Sequence, residues 1–136
     1  MGLYDREIFE RLPFLKAPSM RFEKIKKMGA LWVNDAYNSS IVSVEYALKS
    51  LPSLGGRKLA FLGPMAELGS FSKKLHEELG EKAVDHVDVL FSFGKEGKWL
   101  VNSFVKSGKK GRHFSTKEAF YDAAMNEVKK NDVVLV

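Results

Sequence analysis

Near-continuous apolar stretches recur at positions 30–33 (ALWV), 58–63 (KLAFLG), 87–93 (VDVLFSF) and 132–136 (DVVLV), each long enough for one strand. Such runs are the mark of strands covered on both faces, as in a parallel sheet. Helical stripes lie between them. Ile41, Val44, Leu48 and Leu51 recur at i, i+3, i+7 and i+10; Leu75, Leu79 and Ala83 form a second stripe. Trp99, Leu100, Phe104 and Val105 mark a third helix, with Trp99 and Phe104 read as core, and Phe120, Ala124 and Val128 line a fourth. Strands alternating with helices predict an α/β, Rossmann-like fold: a mostly parallel sheet of about six strands, right-handed crossovers, and helices on both faces. One strand is antiparallel in this reading. Residues 21–27 (RFEKIKK) pair with residues 30–34 as a hairpin, with Met28-Gly29 as the turn, and residues 112–114 form a short strand.

The punctuation agrees with this order. Ser39 or Ser40 is placed to cap the first helix, Ser70 or Ser72 the second, and Ser115-Thr116-Lys117-Glu118 has the capping-box form for the fourth. Residues 5–12 read as a short helix, and Pro13 and Pro18 break the chain behind it. Residues 1–18 are therefore expected to be the tail of a preceding domain and its linker, and residues 19–136 the domain proper. The sequence stops at Val136 inside a strand of buried type, which suggests a piece of a larger protein.

Composition narrows the function classes. The formal charge is +5, but the lysines are scattered rather than gathered on one face, which argues against a nucleic-acid stripe. With no cysteine there is no disulfide, thiolate metal site or cysteine nucleophile. No apolar run approaches the ~20 residues of a membrane span, and the amino terminus lacks a signal-peptide core. A cytoplasmic protein without membrane or nucleic-acid partners is the expectation.

The candidate chemistry sits where strands end. The run at 30–33 stops at Asn34-Asp35, and Tyr37 and Asn38 follow within the same short loop. In open α/β sheets ligands bind at the carboxyl ends of strands. Asp35 there can take both hydroxyls of a ribose; equally, Asp35 or Asn38 can cap the next helix or close an Asx turn. Arg21 can clamp a phosphate or merely solubilise. The loop at 63–69 (GPMAELG) precedes a helix amino terminus, where backbone N–H groups favour anions. Glu67 in it can hold a substrate ammonium or complement the helix dipole. His76, His86 and His113 lack zinc-ligand spacing, and a solvated or capping role is the simpler reading of His76. G-x-x-x-x-G-K-[ST] and G-x-G-x-x-G are both absent, so this chain has no recognisable grip of its own on a triphosphate.

R-F-E at 21–23, N-D-A-Y-N at 34–38, L-G-P-M-A-E-L-G at 62–69 and H-x-x-L-G at 76–80 together resemble the carboxy-terminal domain of the Mur ligases. The resemblance covers nearly all of the chain from Arg21 onward. It implies the third domain of a three-domain, ATP-dependent carboxylate–amine ligase, residues 1–18 being the tail of the central one. The nearest pattern is that of the member joining D-alanyl-D-alanine to a UDP-N-acetylmuramoyl-tripeptide. A Mur ligase with another amino substrate, a folylpolyglutamate synthase and a non-catalytic α/β binding module are the alternatives. By the resemblance, Arg21 reaches ATP phosphates, Asp35 holds the ribose, and Tyr37 and Asn38 line the same cleft. Met65, Glu67 and Leu68 face the substrate side. ATP and Mg2+ belong to the full-length enzyme and none is held by this piece alone, which is expected to be inactive without its partner domains in cis. Three features depart from the family pattern. Ser39-Ser40-Ile41 replaces the usual A-N-P, Pro64 replaces the Asp of L-G-D-M, and the sequence ends before a K-G-S-R-like segment.

Overall fold

The computed structural model describes residues 23–34, 40–52, 55–65 and 68–136. Strands β1 (Glu23–Lys27) and β2 (Ala30–Asn34) form the antiparallel hairpin expected. Met28 and Gly29 turn it with φ of 57° and 74°, the left-handed pair that a two-residue hairpin turn requires. Helix α1 (Ile41–Lys49) leads to β3 (Lys58–Leu62), α2 (Ser72–Ala83) to β4 (Val89–Phe93), α3 (Gly94–Val105) to β5 (Lys110–Phe114), and α4 (Lys117–Glu127) to β6 (Val133–Leu135). The sheet runs β1-β2-β6-β3-β4-β5, and every pair except β1–β2 is parallel.

Strand order explains where the helices lie. From β2 to β5 the chain always advances one way across the sheet, whereas β5 to β6 comes back. Crossovers keep one hand, so the returning helix must lie on the opposite face. Accordingly α1, α2 and α3 pack Val44, Leu48, Leu79, Leu100 and Phe104 with Leu31, Val33, Leu62, Leu90 and Leu135 on one side. On the other face, among the described residues, α4 packs Phe120, Ala124 and Met125 with Trp32, Phe61, Phe91 and Phe114. Gly80 lets α2 and α3 touch: a Cβ there would meet the Leu100 carbonyl at 2.4 Å.

The caps only partly follow the sequence reading. Ser40 caps α1 by accepting from the Ser43 N–H at 3.2 Å. Neither Ser70 nor Ser72 caps α2, because a 3-10 turn (Gly69–Phe71) leads directly into it and Phe71 occupies the cap position. For α4 the cap is Thr116, which accepts from Ala119 N–H; the helix starts one residue later than the Ser115 box requires. Trp99 is half-buried rather than core, while Phe104 is fully buried. Five residues at about 100° each turn the two side chains onto different faces of α3.

A charged clamp closes the end of the sheet where the parallel strands begin, remote from their carboxyl ends. Arg57 donates from Nη2 to Asp132 Oδ2 at 2.8 Å and from Nη1 to Glu127 Oε2 at 2.7 Å. Lys110 Nζ reaches Glu127 Oε1 at 2.7 Å. Burial pushes the Glu127 pKa up, but the hydrogen bonds and charges of Lys110 and Arg57 outweigh it and leave the pKa below the ordinary 4.5. A depressed carboxylate stabilises the fold above its unfolded pKa and loses that contribution as pH falls through its folded one. The stability difference between wild type and Glu127→Gln, read from urea midpoints, is therefore expected to be constant near neutrality. It should shrink as pH drops below about 4.5; a difference that grows on acidification would contradict this.

Candidate functional site at the carboxyl edge of the sheet

The five mutually parallel strands end on one edge, at Asn34, Leu135, Leu62, Phe93 and Phe114 in spatial order. Because β1 is antiparallel, it begins at that same edge: Glu23 is the register partner of Asn34. Arg21 lies two residues before Glu23 in the sequence, and Asp35 directly follows Asn34. Arg21, Asp35, Tyr37, Asn38 and Glu67 are themselves outside the described residues. Asn34 is fully buried at the end of β2, and Val136 N–H donates to the Val33 carbonyl at 3.0 Å beside it.

Three polar side chains tie the rim together. Ser92, buried near the end of β4, donates its hydroxyl to the Leu62 carbonyl at 2.5 Å. His113 Nε2 stands 2.6 Å from the Gly94 carbonyl, so that nitrogen carries a proton and donates. His76, on the second turn of α2, accepts the Met65 N–H on Nε2 at 3.1 Å. It is fully buried, not the solvated or capping residue its position suggests. The pairing with Met65 spans eleven residues and carries no periodic signal, which is why sequence reasoning passes it by.

The expected substrate-side loop thus has two described members. The Met65 side chain is 4% exposed and belongs to the core, so this residue meets the rim through its backbone. Leu68 is half-buried against the same core. Pro64 packs beside the β4–α3 turn: a Cβ on Gly94 would stand 3.6 Å from Pro64 Cγ. Gly94 has φ of 79°, which lets the chain leave β4 and enter α3 without a linker. Lys95 on the first turn of α3 sits over the Trp99 ring, 5.8 Å from its centroid. Among the described residues no three His, Asp or Glu side chains converge to hold a metal ion. No helix among them is long and apolar enough to cross a membrane.

Fold and rim define a Rossmann-like α/β domain of the class that offers the carboxyl ends of its strands to a ligand. Residues 20–136 match the family model described as Mur ligase, glutamate ligase domain, and the chain belongs to that family. It is 33% identical over 98% of its length to the UDP-N-acetylmuramoyl-tripeptide–D-alanyl-D-alanine ligase of Bacillus subtilis, and covers 31% of that protein. The enzyme of the same name from Escherichia coli is 31% identical over 65% of this chain and 19% of its own. Among solved structures, the MurF ligase from Thermotoga maritima in complex with ADP matches with a TM-score of 0.63 and 34% identity, covering 85% of this chain and 26% of that one. The chain thus spans about a third or less of the relatives it matches. Escherichia coli FolC in complex with DHPP and ADP shares the fold, with a TM-score of 0.62 at 22% identity.

Gly97 and Ser92 form a coupled contact under the rim, since a Cβ on Gly97 would lie 2.5 Å from Ser92 Oγ. Ser92→Ala is expected to cost about 1 kcal/mol for its lost hydrogen bond. Gly97→Ala is expected to cost about 1–3 kcal/mol as overpacking. In the double variant the two costs should add to less than their sum, because the first change removes the atom the second collides with. Strict additivity in urea unfolding would contradict the contact.

Proposed function

We propose that this chain is the carboxy-terminal domain of the ATP-dependent ligase that joins D-alanyl-D-alanine to a UDP-N-acetylmuramoyl-tripeptide in peptidoglycan synthesis. The observation that carries the reading is the end-to-end match, at 33% identity, to an enzyme of that name. The hairpin register supports it: Glu23 and Asn34 are partners, and in sequence Arg21 lies two residues before the one and Asp35 directly after the other. A cation for phosphates and a carboxylate for ribose hydroxyls belong on one side of a nucleotide.

In this reading ATP, with Mg2+ and gripped mainly by the other domains in cis, supplies the phosphoryl group that activates the tripeptide's terminal carboxylate. The amine of D-alanyl-D-alanine attacks that acyl phosphate. The tetrahedral intermediate then expels phosphate and leaves an amide. This domain orients the nucleotide through Arg21 and Asp35, with Tyr37 and Asn38 along the same cleft. Its loop of Met65, Glu67 and Leu68 faces the incoming amine. The location is cytoplasmic in this reading, where ATP is available.

The test is kinetic. In the full-length ligase, Asp35→Ala and Arg21→Ala should each raise KM for ATP and lower kcat/KM for ATP. Loss of a charge-assisted hydrogen bond costs about 1.5–3 kcal/mol, roughly ten- to a hundred-fold. Kinetics unchanged in both variants would leave Asp35 with nothing but the helix-capping or Asx-turn role.

A further inference from the structure

A buried imidazole has two nitrogens to satisfy, and at His76 the partners dictate how. Nδ1 lies 2.7 Å from the Ser72 carbonyl, with the Ser72 hydroxyl at 3.3 Å. A carbonyl can only accept, so Nδ1 bears the proton. Nε2 is then bare and accepts the Met65 N–H at 3.1 Å. Both contacts are hydrogen bonds only in this neutral tautomer. Trp99 packs against the ring from α3, with centroids 6.3 Å apart.

The partner amide matters because of where it stands. Met65 is three residues beyond the end of β3, past the reach of the β3–β4 and β3–β6 ladders. A buried N–H left without an acceptor is costly, and a side chain on the following helix supplies one. Ser72, the first residue of α2, fixes the ring; the ring fixes Met65; and the loop that continues to Glu67 and Leu68 starts from that point. A single nitrogen therefore sets the path of the chain as it leaves the strand.

We propose that His76 is a positioning residue for the amino-substrate side of the ligase site, acting through its Nε2 acceptor on the Met65 amide rather than by touching substrate. The proposal rests on the functional reading above, in which this loop receives the amine. It separates the two halves of the site: His76 governs the loop after β3, whereas Arg21 and Asp35 flank the β1–β2 hairpin.

Two amide variants isolate the nitrogen concerned. Gln places an oxygen near the position of Nε2 and can accept from Met65; Asn is shorter, reaches only as far as Nδ1 does, and cannot. In the full-length ligase, His76→Asn is expected to raise KM for D-alanyl-D-alanine by about tenfold or more, the penalty of an unpaired buried amide. KM for ATP should stay within about twofold, and His76→Gln should recover most of the loss. Should His76→Asn fail to fold, His76→Phe, which fills the ring's volume without an acceptor, takes its place and should show the same split. In the unaltered chain, nitrogen NMR should find Nδ1 protonated and Nε2 bare, with the Met65 amide protected from exchange. The opposite tautomer, a fast-exchanging Met65 amide, equal effects on both substrates, or Gln no better than Asn would each overturn the proposal. Wild-type use of D-alanyl-D-alanine is measured first. Its absence sinks the functional reading and this inference together, whereas an active wild type with an unmoved amine KM in His76→Asn sinks only the inference.

Discussion

The last strand holds the sheet together. Val133, Val134 and Leu135 pair with Leu31, Trp32 and Val33 on one side and with Lys58, Leu59 and Ala60 on the other. Without β6 the hairpin has no sheet to join, since β2 and β3 are not neighbours. All three β6 residues are essentially inaccessible to solvent, and they feed both core layers. The clamp at the foot of the sheet serves the same strand. Asp132 is 2% exposed, takes Arg57 from one side and accepts the Lys129 N–H, so the turn before β6 is tied down as the strand begins. Burying a carboxylate this deeply is tolerable only with a partner of opposite charge, and Arg57 arrives from the residue just ahead of β3.

From that insertion the functional edge follows. Wedging β6 between β2 and β3 sets the end of the hairpin one strand away from the Leu62–Met65 turn, with Leu135 between them. The Glu23–Asn34 pair lies on one side of Leu135; on the other, β3 ends and His76 accepts the Met65 N–H beyond it. The rim is stiffened from below by Ser92 on Leu62 and by His113 on Gly94.

Much of the architecture was legible from pattern alone, because local physics decides it. Apolar runs become strands when both faces are covered, and Met28-Gly29 turns a hairpin because a left-handed pair is what the turn needs. Strand order was not legible, since nothing in DVVLV says that it pairs with ALWV rather than with an edge. The α4 cap falls on Thr116 rather than its neighbour Ser115 because packing of Phe120 and Ala124 sets the helix phase, and α2 has no serine cap because a 3-10 turn runs into it. Trp99 was misread because proximity in sequence to Leu100 and Phe104 does not mean the same face of a helix. For the site, Asp35 and the 63–69 loop stand out because they follow strand ends, whereas their roles and that of Arg21 rest on likeness of motif. His76 to Met65 is a contact between a helix and a loop that no spacing rule encodes.

By pairing with both β2 and β3, β6 welds the hairpin to the rest of the sheet, so that the whole carboxyl rim belongs to one cooperative unit. Native-state hydrogen exchange of the 136-residue chain tests this most directly. The amides of β6, β2 and β3 are expected to exchange only through global unfolding, with one common free energy and one denaturant dependence. Exchange of β1, β2 and β6 through a smaller opening, while β3, β4 and β5 stay protected, would contradict it.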